Sequence, residues 1–228
     1  MYRDKEVLCF ILARGGSKGI PRKNVKLIGT KPLIVHSIDA AKKVQEIDKI
    51  YVSTEDPEIK KISLENDAIV IDRPDELAQD TSDYLETVKH LSTSIPEKDS
   101  NPIIVLLETT SPIRDCLDIH KCIKLLDEKI DCVAGVGEVK IFPGYMYREK
   151  NGLLEKYDPS NKVTNRQQME KLFFYNGSIL VTTMNFLKSQ NDVVFGGKMK
   201  GYYLDEKSSF DIDTPLDFLI CDFLLREN

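Results

Sequence analysis

Val7, Leu8, Cys9, Phe10, Ile11, Leu12 and Ala13 are apolar without interruption, and the chain then turns at once into Arg14-Gly15-Gly16-Ser17-Lys18-Gly19. A strand with one face in water alternates apolar and polar residues. An unbroken run instead predicts a strand buried on both faces, which needs helices packed above and below it. Residues 103–107 repeat the pattern, residues 49–53 and 68–71 read as shorter strands, and residues 132–136 add a fifth. Between them, residues 33–44 place apolar side chains at Leu33, Ile34, Ile38, Ala41 and Val44 behind Pro32, a helical spacing with proline at the entry. Pro57–Glu65, residues 83–93 and residues 115–129 are further helices. Strand and helix in repeated alternation predict right-handed crossovers and an α/β fold, a mostly parallel sheet flanked by helices.

The 228 residues fit one domain spanning 1–228. Beyond Val139 the periodicity stops. Residues 140–172 mix aromatics, charges, Pro143 and Gly144, and Asn151-Gly152 predicts a hairpin between residues 145–148 and 153–157. An excursion of this size predicts a protruding arm rather than a plain loop. Residues 176–182 then return as a strand, and residues 214–225 close the chain as a helix with Pro215 in its first turn.

The charge balance, 32 basic against 37 acidic residues for a net charge of −5, argues against a nucleic-acid partner. No apolar run approaches the ~20 residues of a membrane span, and a secretory leader is not expected, because no charged start, apolar core and small-residue cleavage site follow in that order. Cys9, Cys116, Cys122, Cys132 and Cys221 are odd in number, lack any C-x-x-C spacing and sit in or beside apolar segments, which predicts buried reduced thiols and a cytoplasmic protein. His36, His90 and His120 fall on three different helices without metal-ligand spacing, and the G-x-S-x-G of a serine hydrolase is missing.

Against that acidic background, Arg14, Lys18, Arg22 and Lys23 gather four positive charges in ten residues, around Gly15, Gly16 and Gly19, at the carboxyl end of the first strand. Loops at that end of a parallel sheet bind ligands, and glycine backbone amides with cations suit a polyphosphate. The order of residues matches neither G-x-x-x-x-G-K-[ST] nor G-x-G-x-x-G, so a kinase-like ATPase and a standard dinucleotide dehydrogenase both lose support. A solvated basic turn is the alternative. Near the other end, Asp211-Ile212-Asp213 on an extended segment puts two carboxylates on one side and an apolar residue on the other, a pair able to hold Mg²⁺ together with substrate phosphates. Asp213 or Thr214 can equally cap the helix that Pro215 starts. Two polar loops after strands, residues 72–82 with Arg73, Thr81 and Ser82 and residues 107–114 with Glu108 and Ser111, are candidates for reading a base and a second substrate. Arg166 and Asn176-Gly177 are further candidates.

Ala13-Arg14-Gly15-Gly16-Ser17-Lys18-Gly19-Ile20-Pro21-Arg22-Lys23-Asn24, then Arg73-Pro74 through Asp80-Thr81, Thr110-Ser111-Pro112 with Arg114, Arg166-Gln167-Gln168, Asn176-Gly177-Ser178 and Asp211-Ile212-Asp213-Thr214-Pro215 follow one another in an order that resembles the acylneuraminate cytidylyltransferases. The resemblance covers nearly the whole chain. It implies a Rossmann-like nucleotidyltransferase fold, a Mg²⁺ requirement, a homodimer built through the arm at about 140–172, and transfer of CMP from CTP to the anomeric hydroxyl of a nine-carbon α-keto sugar acid. It further implies Arg14, Lys18 and Lys23 as catalytic residues on the triphosphate. Gly15, Gly16, Ser17, Asn24, Arg73, Thr81 and Ser82 would bind the nucleotide, Glu108, Ser111, Arg166 and Asn176 the sugar acid, and Asp211 and Asp213 the metal.

Three positions depart from the family's pattern. Glu108 stands where sialic-acid-activating members commonly carry Gln, Leu180 where some carry Tyr, and Tyr145 near a position that can be Lys. An ionised Glu108 accepts hydrogen bonds without donating, which suits a diacetamido acid such as legionaminic acid beside N-acetylneuraminic acid. A Kdo cytidylyltransferase, another sugar nucleotidyltransferase and, outside the enzymes, a non-catalytic nucleotide-binding module are the competing readings. The acidic pair distinguishes the last, since simple binding does not require a placed metal.

Overall fold

The computed structural model describes residues 2–96, 101–159, 170–190 and 196–227. The unbroken apolar run becomes β1 (Val7–Leu12), and the ribbon β2 (Leu27–Ile28) with β3 (Lys31–Pro32) follows it before α1 (Leu33–Lys42). β1 pairs in parallel with β4 (Lys49–Thr54) on one side and with β6 (Ile103–Leu106) on the other. Beyond β4 lies β5 (Ile69–Asp72), also parallel. Beyond β6 lie β10 (Phe173–Thr183), β7 (Cys132–Glu138) and β11 (Met199–Tyr203), so the order across the sheet is β11-β7-β10-β6-β1-β4-β5. Only β10 runs against its neighbours, and the sheet is mostly parallel as expected.

Both faces of the central strands are covered, which explains why β1 never alternates. Val7, Cys9 and Ile11 pack with Val105 and Val181 against Ile34 and Ile38 of α1 and Ile119 and Ile123 of α4 (Cys116–Leu125). Leu8, Phe10, Ile104 and Leu106 face Leu85, Val88 and Leu91 of α3 (Tyr84–Ser94) and Met184 and Leu187 of α5 (Met184–Ser189). Leu180 is fully buried in this second layer, so its identity bears on packing. α2 (Pro57–Glu65) starts at Asp56, whose carboxylate accepts from the Glu58 and Ile59 amides. A third, smaller cluster joins Ile20, Ile28 and Leu33 to Ile212, Phe218 and Cys221, the last two on α6 (Pro215–Arg226). Thr214 caps α6 in a reciprocal arrangement with Asp217.

Several boundaries differ from the sequence reading. The helix expected over residues 115–129 ends at Leu125, because Asp127 accepts from the Lys129 amide at 2.7 Å and this local turn competes with helix. The hairpin is shifted to β8 (Tyr147–Lys150) and β9 (Leu153–Lys156), since Pro143 opens a short helical turn ahead of it, while Asn151 and Gly152 make the predicted turn with positive φ. β11, α5 and the β2–β3 ribbon escape the sequence reading; β11 is short, half-exposed and interrupted by Gly201. The cysteines behave as expected: four are buried, Cys116 is partly so, and burial pushes Cys9, Cys122 and Cys221 up to about 12. Among the described residues no helix is long and apolar enough to cross a membrane.

Candidate active site

β1, β4, β5 and β6 end on the same side of the sheet, and the segments that follow them meet there. They line a cleft of about 430 Å³ whose wall includes Arg14, Ser17, Lys18, Lys23, Asn24, Arg73, Ser82, Glu108 and Asp213, nine of the residues singled out above. Gly15, Gly16 and Thr81 are not part of that wall. Ser111, Asn176 and Asp211 stand behind it, joined to one another, and Arg166 lies outside the described residues.

What draws the two ends of the chain together is both apolar and polar. Ile20 from the glycine segment and Ile212 from between the acids share the third hydrophobic cluster. Lys23 Nζ donates to Ile212 O at 2.7 Å. Gly19 passes so near the Asp213 carbonyl that a Cβ there would lie 2.7 Å from its oxygen, so this position requires glycine. Burial lowers the Lys23 ammonium, opposed by the nearby Asp211, Asp213 and Glu108 carboxylates.

The glycine segment is held from below. Gly15 N donates to Glu55 Oε1 at 2.6 Å, and the Asn24 side chain donates to Arg14 O at 2.9 Å while accepting from Thr109 Oγ1 at 2.7 Å. Asn24 thus clamps the loop to the end of β6. Arg73 is buried, with Nη2 on Ser53 O at 2.7 Å and Nε on Ser53 Oγ at 3.1 Å, which fixes its orientation at the cleft wall. Arg22, one of the four cations in the sequence cluster, turns away. Its guanidinium pairs with Asp56 and, at 2.5 Å, with Glu58 at the start of α2.

On the opposite wall the groups are buried. Ser111 Oγ donates to Asp211 Oδ1 at 3.3 Å, and Ser178 N donates to Asn176 Oδ1 at 3.0 Å, while Asn176 Nδ2 has no partner among the described residues. Gly177, at φ +74°, brings the chain against Glu108, leaving no space for a side chain. Burial first, and then the Asp211 charge, push the Glu108 carboxyl up to about 7. This corrects the expectation of an acceptor only: near neutral pH much of Glu108 carries a proton and donates as glutamine would. Burial and the Asp213 charge also raise Asp211.

Two carboxylates in one place, with Asp211 raised by burial and its neighbour's charge, fit a divalent cation that would relieve them. Among the described residues there is no cluster of three or more acidic, histidine or cysteine ligands, so the remaining ligands would have to come from substrate phosphates and water, as is usual for Mg²⁺. Sequence reasoning missed Glu55 and Asp80, which engage Arg14, Lys18 or the glycine backbone, and the buried Arg114 beneath Glu108. Asp80 falls within the polar segment 72–82, but nothing local marks its contacts.

Solved structures share this arrangement of strands. CMP:2-keto-3-deoxy-manno-octonic acid synthetase complexed with CTP superposes with a TM-score of 0.72 over 97% of this chain and 99% of that one at 13% identity. A 4-diphosphocytidyl-2C-methyl-D-erythritol synthase does so with 0.72 over 97% and 99% at 15%. The architecture is therefore the one these two enzymes share. A family model for cytidylyltransferases matches residues 8–223, and the chain belongs to that family. Among curated relatives, the post-translational flagellin modification protein B of Campylobacter coli is 32% identical over 97% of this chain and 96% of its own length. The CMP-N,N'-diacetyllegionaminic acid synthase of Legionella pneumophila is 30% identical over 97% of each chain. The N-acylneuraminate cytidylyltransferase of Streptococcus agalactiae is 30% identical over 96% of this chain but 55% of its own, so the chain spans about half the length of that relative.

Proposed function

We propose that this chain transfers CMP from CTP to the anomeric hydroxyl of a nine-carbon α-keto sugar acid, N-acetylneuraminic acid or a relative such as legionaminic acid, releasing pyrophosphate. The observation that carries the reading is the Lys23–Ile212 hydrogen bond, which sets cations from the head of the chain and acids from its tail around one cleft. The relatives named for CMP-sugar synthesis support the substrate class. In the reaction the hydroxyl oxygen bonds to the α-phosphorus, the bond from that phosphorus to the bridging oxygen breaks, pyrophosphate leaves with the electron pair, and the hydroxyl proton goes to solvent or a base.

Arg14, Lys18 and Lys23 would neutralise the departing pyrophosphate, with Ser17 beside it. Asn24, Arg73 and Ser82 would form the nucleoside end, and Glu108, with Ser111 and Asn176 behind it, the sugar-acid end. Asp211 and Asp213 would hold Mg²⁺ with the phosphates, which supplies charge neutralisation and lowers the pKa of a bound hydroxyl. Exposed Leu153, Leu154 and Tyr157 on and after the hairpin support an arm that joins two copies. Pyrophosphate release with CTP, Mg²⁺ and a panel of nonulosonic acids tests the reading; release with one of them is expected, and none with any acid overturns it.

A further inference from the structure

The two outermost cations of the cleft already hold an anion. Arg14 Nη2 lies 2.9 Å from one carboxylate oxygen of Asp80 and Lys18 Nζ lies 3.0 Å from the other, while Arg14 Nη1 donates to Ala78 O at 3.3 Å. One acid gripping two cations through both oxygens has the geometry a phosphate group would take between the same donors. The rest of the loop is tied elsewhere. Ser82 Oγ donates to Glu76 O at 2.8 Å, Gln79 Nε2 to Asp75 O at 2.7 Å and Thr87 Oγ1 of α3 to Leu77 O at 3.4 Å, so Asp80 can leave the cations without unmaking the turn. The Lys18, Asp80 and Arg14 side chains are 77%, 39% and 32% exposed, and an ion pair so placed is weak and screened.

We propose that Asp80 is a built-in stand-in for a phosphate group, a latch on the Arg14–Lys18 pair that the polyphosphate of the incoming nucleotide displaces and that sets the nucleotide's affinity. The inference rests on the nucleotide reading of the cleft. A single carboxylate competes well with inorganic phosphate or chloride for the two cations and poorly with a triphosphate, so the latch keeps weak anions out at little cost to CTP. Once displaced, Asp80 remains nearby as a like charge, so removing that charge strengthens polyphosphate binding.

Titration calorimetry of the full chain with inorganic tripolyphosphate and with CTP reads this directly. Asp80→Asn is expected to bind both about fivefold tighter, the factor that a weak exposed pair accounts for, and KM for CTP falls by the same factor. Asp80→Glu, which keeps the charge, stays within about twofold of the parent. Equal or weaker binding by Asp80→Asn, with an unchanged circular dichroism spectrum, overturns the latch; if that variant does not fold, Asp80→Ser is read the same way. The nucleotide reading fails differently: the parent chain then neither binds tripolyphosphate nor releases pyrophosphate from CTP, and that result overturns both. A failed latch leaves both properties of the parent intact.

Discussion

The two walls of the cleft use charge in opposite ways. On the phosphate side, Arg14 and Lys18 stand partly in water, and so does their partner Asp80. On the other side, Arg114, Ser111 and Asn176 are buried around Glu108 and Asp211, and burial displaces the carboxyls and the guanidinium from their ordinary ranges, Arg114 down to about 10. Exposed cations act by their number and are individually cheap to remove. Buried groups act through the water they have lost: Arg114 also ties the fold together, whereas the Asp211 and Glu108 carboxyls weigh against it when charged.

Arg114 should separate the walls most sharply. Its Nε donates to Ser178 O at 2.8 Å, its Nη1 to Ser37 Oγ at 2.8 Å and its Nη2 to Glu108 O, tying α1, β10 and the end of β6 together. Arg114→Met strands those acceptors and leaves Glu108 without its cation, so urea denaturation should show a loss of about 3–5 kcal/mol. Lys18→Ala on the other wall should cost less than about 1 kcal/mol. Similar losses for both would erase the distinction. Asp211→Asn comes next: CMP transfer should fall by about 100-fold or more, while the thermal midpoint holds or rises because burial already disfavours the Asp211 charge. Activity within threefold of the parent would remove the acid pair from the reaction.

Which parts of this were legible in the sequence follows from how local each one is. β1 and β6 are decided by residues adjacent in the chain, and so are the glycine segment and the Asp211-Ile212-Asp213 alternation, whose middle residue is fully buried as the pattern required. Contacts made across the sheet left no such mark. Arg22 sits among three cations in sequence, yet Asp56 and Glu58, which draw it off, are more than thirty residues away. Glu108 reads as an ordinary carboxylate until Gly177 and Asp211 close over it. Arg114 carries no local mark either, because its partners on α1 and β10 lie 77 and 64 residues from it along the chain.

A pH series tests the burial of Glu108. Its carboxyl titrates near 7 in the folded chain against 4.5 as the ordinary value, so the folded state holds more protons than the unfolded one between those limits. Stability is then fullest below pH 4.5 as far as this group is concerned, falls as pH rises towards 7, and is level above. Glu108→Gln removes that slope, so between pH 5 and 8 the parent should lose about 2 kcal/mol more than the variant. Above pH 7, where Glu108 has lost its proton and no longer donates, the same substitution should also shift the preference among sugar acids. Parallel pH curves would place Glu108 in water and return it to the class of Arg14 and Lys18.

The smallest effect expected is at Arg22, and it tests the comparison from the exposed side. Counting charges along the chain makes Arg22 a fourth phosphate ligand; the structure instead gives it to the first turn of α2, where it holds Asp56 below the usual carboxylate range. Its backbone is left-handed, φ +58°, so Asn is the replacement that keeps the turn. Arg22→Asn should leave KM for CTP within about twofold and cost no more than about 1 kcal/mol, the worth of an exposed pair. A tenfold rise in KM would mean that Arg22 leaves Asp56 when nucleotide enters, and the phosphate wall would then be assembled by its ligand rather than standing ready for it.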